Sequence, residues 1–311
     1  MTKRFFTFAL LAAASASISC AATNHPTTSV QPGVVRSSLE LEALVDQPRP
    51  LRLETITAAK WEVDLSGLVN LDHPAAKAAQ LVDKAEPIDL YVHVIRHPQR
   101  GTFFVDTGVE RAFSKDPDNA LIHGLMGSLA NLERLRPLVD TDSLVRRTGP
   151  VAGVLLTHLH ADHVLGMRDL PASTPIYVGP GDAHAHAFMN LLMRGLYDQA
   201  LEHKSALREI GFSADASGRF AGVRDLFGDG SLWALWLPGH TPGTLAFVAR
   251  TTQGPVLLTG DVCHTAWGWQ HGVEPGKFSD DPAQSADSFA RLQRFVKEHP
   301  SIDVRLGHQA L

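Results

Sequence analysis

The stretch Thr157-His158-Leu159-His160-Ala161-Asp162-His163 carries the strongest signal in this sequence, and it follows an apolar run at residues 151–156. The run predicts a buried strand. Side chains two apart on an extended segment point the same way, so the first two histidines can converge on one ion. If the chain then turns into a helix, the closing Asp-His pair reaches a second point nearby. Imidazole and carboxylate groups suit zinc, iron or manganese, so the stretch predicts a metal site. The alternative interpretation of the stretch is a polar turn with exposed histidines.

Three more candidate ligands follow apolar runs farther along the chain. They lie in Leu237-Pro238-Gly239-His240, in Thr259-Gly260-Asp261 and in Leu306-Gly307-His308. Each comes directly after a glycine at the end of a predicted strand, and sites in α/β folds gather at such strand ends. Taken singly, each would be interpreted as a surface loop residue. Their shared context with the first cluster favours a common site.

Apolar patterning predicts strands alternating with a few helices. The predicted strands are residues 61–65, 90–96, 102–106, 151–157, 176–178, 232–237, 245–249, 256–259 and 303–306. Predicted helices are residues 119–139, 182–207 (one or two helices) and 281–299. This order is typical of an α/β protein in which helices cover sheets.

The N-terminus predicts export. Lys3 and Arg4 precede an apolar run at residues 5–14 that is too short to span a bilayer, which is typical of a secretory signal at residues 1–20. Ser17-Ile18-Ser19-Cys20 resembles the cleavage box of bacterial lipoproteins, in which the cysteine is lipidated. Ordinary cleavage after Ala14-Ser15-Ala16 is the alternative. We expect a periplasmic protein or a membrane-anchored lipoprotein, with residues 21–38 as a disordered tether and 39–311 as one domain.

Composition restricts the partners. The 311 residues carry a net charge of −5, without a run of Lys and Arg, which argues against nucleic acid. The only contact with a membrane that we expect is the N-terminal lipid. Cys263 is the second of two cysteines, so no internal disulfide is expected if Cys20 is lipidated, and we expect Cys263 to pack inward. A small molecule is the expected substrate.

The order H-x-H-x-D-H, G-H-T-P-G, G-D and a late G-H resembles the metallo-β-lactamase superfamily. The resemblance extends from Tyr91 to the C-terminus and includes the turn Val105-Asp106-Thr107-Gly108. It implies an αββα sandwich, two mixed β-sheets flanked by helices, with two divalent metal ions, zinc first among them. The implied ligands are, for one ion, His158, His160 and His240; for the other, Asp162, His163 and His308; and, bridging both, Asp261.

Within the superfamily, the sequence is most similar to N-acyl homoserine lactonases. The bridging Asp261 is unlike the true β-lactamases, and His97-Pro98, the late helix and the Gly-His-Gln ending are similar to the lactonases. Those enzymes have a tyrosine three residues after the bridging aspartate, whereas this chain has His264. The departure weakens the lactonase assignment and leaves general hydrolysis intact.

The expected reaction is hydrolysis of a lactone or related carboxylic ester or amide by a hydroxide that bridges the ions. Asp162 is predicted to carry a proton to the leaving group. His264 is predicted to donate to the developing oxyanion, and a rim histidine without a role is the alternative. Phosphodiester cleavage, persulfide oxidation by a single iron and non-catalytic metal binding are the rival functions.

Two apolar groups leave alternatives open. Trp267 and Trp269 could wall an acyl pocket, although packing under the late helix is preferred. Five side chains share one face of the helix predicted within 182–207: Phe188, Met189, Leu192, Met193 and Leu196. We expect this face to be core, with a substrate groove or a homodimer contact as the alternatives.

Overall fold

The computed structural model describes residues 21–124, 127, 131–186 and 188–311. The predicted signal at residues 1–20, together with Cys20 and its lipidation, lies outside these residues. None of the helices in the described part is long and apolar enough to cross a bilayer.

The strands form two mixed sheets. The first has eight strands in the spatial order β1 (Thr27–Val30), β9 (Leu207–Ile210), β8 (Ile176–Val178), β7 (Val151–Leu155), β5 (Gly101–Val105), β4 (Ala85–His97), β3 (Arg52–Asp64) and β6 (Arg136–Pro137). The second has six, in the order β14 (Asp303–Arg305), β13 (Gly254–Leu258), β12 (Leu245–Thr251), β11 (Leu232–Trp236), β10 (Gly222–Asp225) and β2 (Val34–Arg36). The predicted hairpin at residues 90–106 is the antiparallel pair β4–β5.

Helices lie on the outer faces of the sheets. They are α1 (Ser38–Leu44), α2 (Leu65–Leu68), α3 (Pro74–Ala78), α4 (Ala112–Lys115), α5 (Thr141–Thr148), α6 (Ala161–Val164), α7 (Phe188–Leu201), α8 (Ala266–His271) and α9 (Pro282–Glu298). The carboxylate of Asp281 caps the first turn of α9 by accepting from the backbone of Gln284, 3.0 Å away.

Alternating side chains give the fold its layers. On β11, Leu232 and Ala234 belong to the core between the two sheets, whereas Trp233 and Leu235 belong to an outer core that includes Phe289 of α9. Neighbouring side chains on a strand point to opposite faces, so one strand supplies both cores. A third core lies between the first sheet and its helices. This arrangement is the αββα sandwich that the motifs imply.

The ends of four strands meet at one edge of the sandwich. Strands β11, β13 and β14 run in the same direction, because β12 pairs antiparallel with both β11 and β13, and β14 pairs parallel with β13. The loop after β7 of the first sheet joins them there, since the Leu245 amide donates to the Thr157 carbonyl at 2.7 Å. The carboxyl ends of β7, β11, β13 and β14 therefore lie close together at this edge.

The structure corrects the prediction that residues 21–38 form a disordered tether. Strand β1 pairs parallel with β9, and β2 pairs antiparallel with β10. Ala21 and Ala22 are buried, so the fold begins at least as early as Ala21. Edge strands are held by backbone pairing with one neighbour, and the Thr- and Val-containing stretches suit that role despite the polar composition.

The predicted helix at residues 119–139 is also wrong in its second half. Asn131 has a left-handed φ of 52°, which a right-handed helix cannot contain. A single 3₁₀ turn follows at Leu132–Arg134, and Arg136–Pro137 pairs with β3. Pro137 cannot continue an α-helix because it lacks an amide hydrogen. Residues 125, 126 and 128–130 of the prediction lie outside the described part.

Candidate metal centre

The loop after β7 brings its histidines together as the spacing predicts. His160 is extended, with φ −102° and ψ 161°, and directly precedes the first residue of α6. The ring centroids of His158 and His160 lie 4.5 Å apart. The first turn of α6 then carries Asp162 and His163 to a second point, where His163 Nε2 lies 3.5 Å from Asp162 Oδ2.

The three distant candidates reach the same place. His240 Nε2 lies 3.2 Å from His158 Nε2 and 3.0 Å from His160 Nδ1. His308 Nε2 lies 3.2 Å from Asp162 Oδ2 and 3.3 Å from Asp261 Oδ1. All seven predicted ligands therefore share one buried cluster, in two groups: His158, His160 and His240; and Asp162, His163, Asp261 and His308.

One carboxylate oxygen, Oδ2 of Asp261, is at the centre of the cluster. Five imidazole nitrogens surround it, the Nε2 atoms of His264 at 3.0 Å, His163 and His308 at 3.3 Å, His240 at 3.4 Å and His158 at 3.6 Å. Asp261 therefore touches both groups of ligands, as a bridging residue must.

The donor atoms fit divalent cations. Within the described part of the chain, Asp261 Oδ1, His163 Nε2 and His264 Nε2 are buried without a hydrogen-bond partner. Leaving such an atom unsatisfied costs about 1–3 kcal/mol, which a bound cation would offset. Two ligand atoms bound tetrahedrally to one zinc ion at about 2.0–2.1 Å lie roughly 3.3 Å apart. The spacings of 3.0 and 3.2 Å around His240 Nε2 match that value.

Outer contacts fix the orientation of the rings. The Asp106 carboxylate accepts from His163 Nδ1 at 2.8 Å and from the Thr157 amide at 2.8 Å. Backbone carbonyls hold two other rings, since His308 Nδ1 lies 3.0 Å from Asp89 O and His264 Nδ1 lies 3.0 Å from Leu68 O. Nδ1 of these rings therefore carries the hydrogen and Nε2 points inward, the usual arrangement behind metal-ligating histidines.

Burial and charge set the protonation of the cluster. Burial lowers the pKa of His158 and His240 well below the ordinary value and that of His160 to about 4, so these rings are neutral. Although burial opposes the shift, the charge of Asp261 raises the pKa of His308 to about 10. The pKa of Asp261 itself is held well below its usual range, against burial, by His308 and the other histidines. A neutral imidazole and an ionised carboxylate are the forms that bind metal, and binding here would release the His308 proton.

A cavity of about 550 Å³ opens above the cluster. Its floor includes His160, Asp162, His240, Asp261, His264 and His308. Its walls are apolar and include Trp61, Val63, Ile88, Met193, Tyr197 and Phe278. Lys277 and Asp280 also line it. The cavity therefore combines a polar floor with an apolar surround, which is typical of small-molecule sites.

Sequence reasoning missed most of the walls and one buried carboxyl. Trp61 and Ile88 lie on long strands, where nothing in their spacing marks them as pocket residues. Asp182 is buried, and its Oδ2 accepts from the Leu159 amide at 2.6 Å, between two candidate ligands. Burial raises the pKa of Asp182 to about 6. A signal was available, because Gly181-Asp182 follows a strand as Gly260-Asp261 does.

Cys263 and the two nearby tryptophans pack away from the cavity. Cys263 packs inward, and burial raises the pKa of its thiol to about 12. Trp267 stacks on His271 with ring centroids 4.3 Å apart, and Trp269 packs against Phe289. Neither tryptophan is among the described residues that line the cavity. Packing under the late helix is confirmed for Trp269, whereas Trp267 packs against the core between the first sheet and its helices.

The predicted helical face divides between two roles. The side chains of Phe188, Met189 and Leu192 lie outside the described part of the structure. Met193 lines the cavity, and Leu196 packs against the core between the first sheet and its helices. His264 is only 1% exposed and lies in the cluster, so it is not a rim residue.

The family follows from a match to residues 91–266 by a model described as the metallo-beta-lactamase superfamily. The match covers more than half of the chain and contains six of the seven candidate ligands, all but His308. The chain therefore belongs to this superfamily.

The chain is similar in sequence to several curated proteins, of which three are described. Gamma-lactamase FDB1 of Fusarium pseudograminearum is 35% identical over 67% of this chain and 54% of FDB1. Gamma-lactamase MBL2 of Gibberella moniliformis is 32% identical over 64% of this chain and 87% of MBL2. N-acyl homoserine lactonase AttM of Azorhizobium caulinodans is 29% identical over 50% of this chain and 57% of AttM. The chain thus spans about half the length of FDB1 and of AttM.

Solved structures share the fold. An N-acyl homoserine lactone hydrolase, with N-hexanoyl-L-homoserine at its catalytic metal centre, has a TM-score of 0.60 at 21% identity and covers 84% of this chain and 94% of its own. The dizinc quorum-quenching lactonase AidC has a TM-score of 0.55 at 14% identity and covers 84% of this chain and 88% of its own.

Proposed function

We propose that this protein is a dinuclear metal hydrolase that opens lactones or related carboxylic esters and amides. The observation that carries the proposal is the convergence of two ligand groups on Asp261 beneath an apolar cavity. Relatives named gamma-lactamase and N-acyl homoserine lactonase support cyclic amides and lactones as the substrates to test first.

Two divalent ions, with zinc the first choice, would supply a water of lowered pKa and a Lewis acid for the carbonyl oxygen. His158, His160 and His240 would hold one ion; Asp162, His163 and His308 the other; and Asp261 both. The dizinc lactonase AidC supports zinc in this role.

Asp162 would move a proton during the reaction. Its carboxylate lines the cavity, and His163 and then His308 hold its pKa well below the ordinary range although burial opposes them. An ionised carboxylate beside the reacting carbonyl can take a proton from water and deliver it to the leaving group. Placement on the cavity floor is what suits Asp162 to this role.

The apolar walls would bind the unreactive part of the substrate. Trp61, Ile88 and Phe278 offer contact area for an alkyl or aromatic group. Each methylene buried there contributes about 0.8 kcal/mol, so kcat/KM should rise by roughly fourfold per methylene until the cavity is full.

The proposal is tested with zinc-reconstituted protein on γ-lactones, δ-lactones, N-acyl homoserine lactones, γ-lactams, linear esters and a phosphodiester. Two zinc ions per chain and turnover of at least one carbonyl substrate are expected. Asp162→Ala should reduce kcat/KM by about 10²–10⁴-fold and more than His264→Ala does. Cleavage of the phosphodiester alone would overturn the proposal, as would one iron per chain with oxygen uptake on a persulfide.

We further propose that the protein is exported, on the basis of the signal pattern at residues 1–20. Lipidation at Cys20 is tested by incorporation of labelled palmitate, which Cys20→Ser should abolish. Equal labelling of the wild type and the variant would exclude a lipid on this cysteine.

A further inference from the structure

We propose that His264 is an additional metal ligand, so that six imidazoles rather than five hold the ions. The proposal rests on the dinuclear centre proposed above. It concerns a position where the similar lactonases have a tyrosine, and it changes the role expected for His264 from hydrogen-bond donor to ligand.

The His264 ring points at the centre of the ligand cluster. His264 Nε2 lies 3.0 Å from Asp261 Oδ2, the shortest of the five imidazole distances to that oxygen. The 3₁₀ turn Gly260–Val262 ends just before Cys263, which is extended with φ −152° and ψ 122°. The short distance shows that the side chains of Asp261 and His264, on either side of this change in backbone direction, point to one place.

A backbone carbonyl fixes the tautomer of His264. The Leu68 carbonyl, 3.0 Å from His264 Nδ1, lies at the last residue of α2, where helix carbonyls lack partners within the helix. A carbonyl oxygen can only accept, so Nδ1 carries the hydrogen. In the neutral ring, Nε2 then has a lone pair. That atom can bind a cation, but it cannot donate to a substrate oxyanion.

Potential metal-ligating atoms surround Nε2 of His264. His264 is 1% exposed, and its buried Nε2 has no hydrogen-bond partner among the residues that the structure describes. The ligand atoms of His240, Asp261 and His264 lie within 4.8 Å of one another, a group suited to one cation. A lone pair aimed into such a group is satisfied by a metal ion.

The orientation of the neighbouring rings indicates which ion His264 would bind. The rings of His264 and His240 have centroids 5.0 Å apart and an interplanar angle of 74°, so they approach edge to face. The His264 and His308 rings instead lie nearly parallel, with centroids 5.6 Å apart and an interplanar angle of 15°. His264 shares its group with His240, and we assign it to the ion of His158, His160 and His240.

The decisive measurement counts ligands in the unmodified protein. Full-length protein labelled with ¹⁵N-histidine is loaded with ¹¹³Cd, and imidazoles that show scalar coupling to cadmium are counted. Six coupled rings, with His264 Nε2 among them, are expected. A His264 ring without coupling overturns the inference, whatever the number of bound ions. Failure to bind two ions would instead refute the dinuclear centre, and coupling at His264 would still decide its own role.

A variant provides an independent readout. His264→Ala should weaken zinc binding at one of the two ions by tenfold or more in a chelator competition and change the visible spectrum of the cobalt form. Millimolar imidazole should restore that spectrum. His271→Ala, an exposed histidine seven residues on, is the matched control and should leave both unchanged.

Folding is checked by circular dichroism of the metal-free proteins, and His264→Gln replaces the alanine variant if that one does not fold. Unchanged zinc affinities with a reduced kcat would show that His264 acts on substrate and would overturn the ligand role.

Discussion

The floor and the walls of the same cavity are built in different ways. The floor consists of polar side chains at strand ends, and outer contacts such as Asp106 to His163 fix their orientation. The walls consist of apolar side chains from β3, β4, α7 and the loop before α9. The floor therefore determines which reaction is possible, whereas the walls determine which substrate fits.

The walls depend on a part of the chain far from the floor. Asp198 of α7 accepts from the Thr23 hydroxyl at 2.5 Å and from the Asn24 amide at 2.7 Å. Arg194 of the same helix donates to the Ala21 carbonyl at 2.9 Å. The N-terminal segment thus holds the helix that carries Met193 and Tyr197 into the cavity.

The largest effect is expected from removing part of the floor. Deletion of residues 308–311 removes His308 and should reduce the number of bound ions from two to one. It should also lower kcat/KM by more than about 100-fold, because loss of only an outer hydrogen bond to a metal ligand already lowers metal affinity or activity by about 10–100-fold. Deletion of the exposed residues 310–311 is the control. Two ions per chain in the longer deletion would remove His308 from the ligand set.

A smaller effect is expected from the support of the floor. Asp106→Asn weakens the contact that orients His163 and should lower metal affinity by about 10–100-fold. The resulting loss of activity should be the same for all substrates. Zinc competition titrations measure it, and Asp118→Asn on the exposed surface is the control. A change in substrate preference without a change in metal affinity would contradict the separation of floor from walls.

The walls should change selectivity alone. Phe278→Ala removes an apolar side chain of the cavity and should raise KM for long-chain substrates by about tenfold, because roughly 1.5 kcal/mol of apolar contact is lost. The kcat for short substrates should remain within twofold of the wild type. Steady-state kinetics on a chain-length series measure both, with Leu138→Ala, exposed and outside the cavity, as the control. Loss of zinc from the Phe278 variant would count against the comparison.

The smallest effect concerns pH and Asp182, which contacts the ligand loop. Burial raises its pKa to about 6, so between the unfolded value and 6 the folded protein keeps a proton that the unfolded chain has lost. Stability from this group therefore falls as pH rises, by about 1 kcal/mol from pH 5 to pH 7. Urea unfolding of the metal-free wild type should show this fall relative to Asp182→Asn, which keeps an accepting oxygen. If the free energies of unfolding of the two proteins changed with pH in the same way between pH 5 and pH 7, Asp182 would not gain or lose a proton in this range and the prediction would be wrong.

The sequence by itself determined the chemistry of the floor. The residues of the His158 to His163 stretch are close neighbours, so strand geometry and one helical turn suffice to group them. His240, Asp261 and His308 could be added because each follows a strand and a glycine. Local rules of this kind do not depend on the rest of the fold.

The tertiary structure alone decided the rest. Residues 21–38 look like a tether until β9 and β10 supply backbone partners, because edge pairing leaves little trace in composition. Trp61 and Phe278 become neighbours of the ligands only when distant elements pack, and the proton on His264 is set by the Leu68 carbonyl, 196 positions away. Contacts between distant parts of the chain depend on how whole layers stack, which a periodicity of two or 3.6 residues cannot encode.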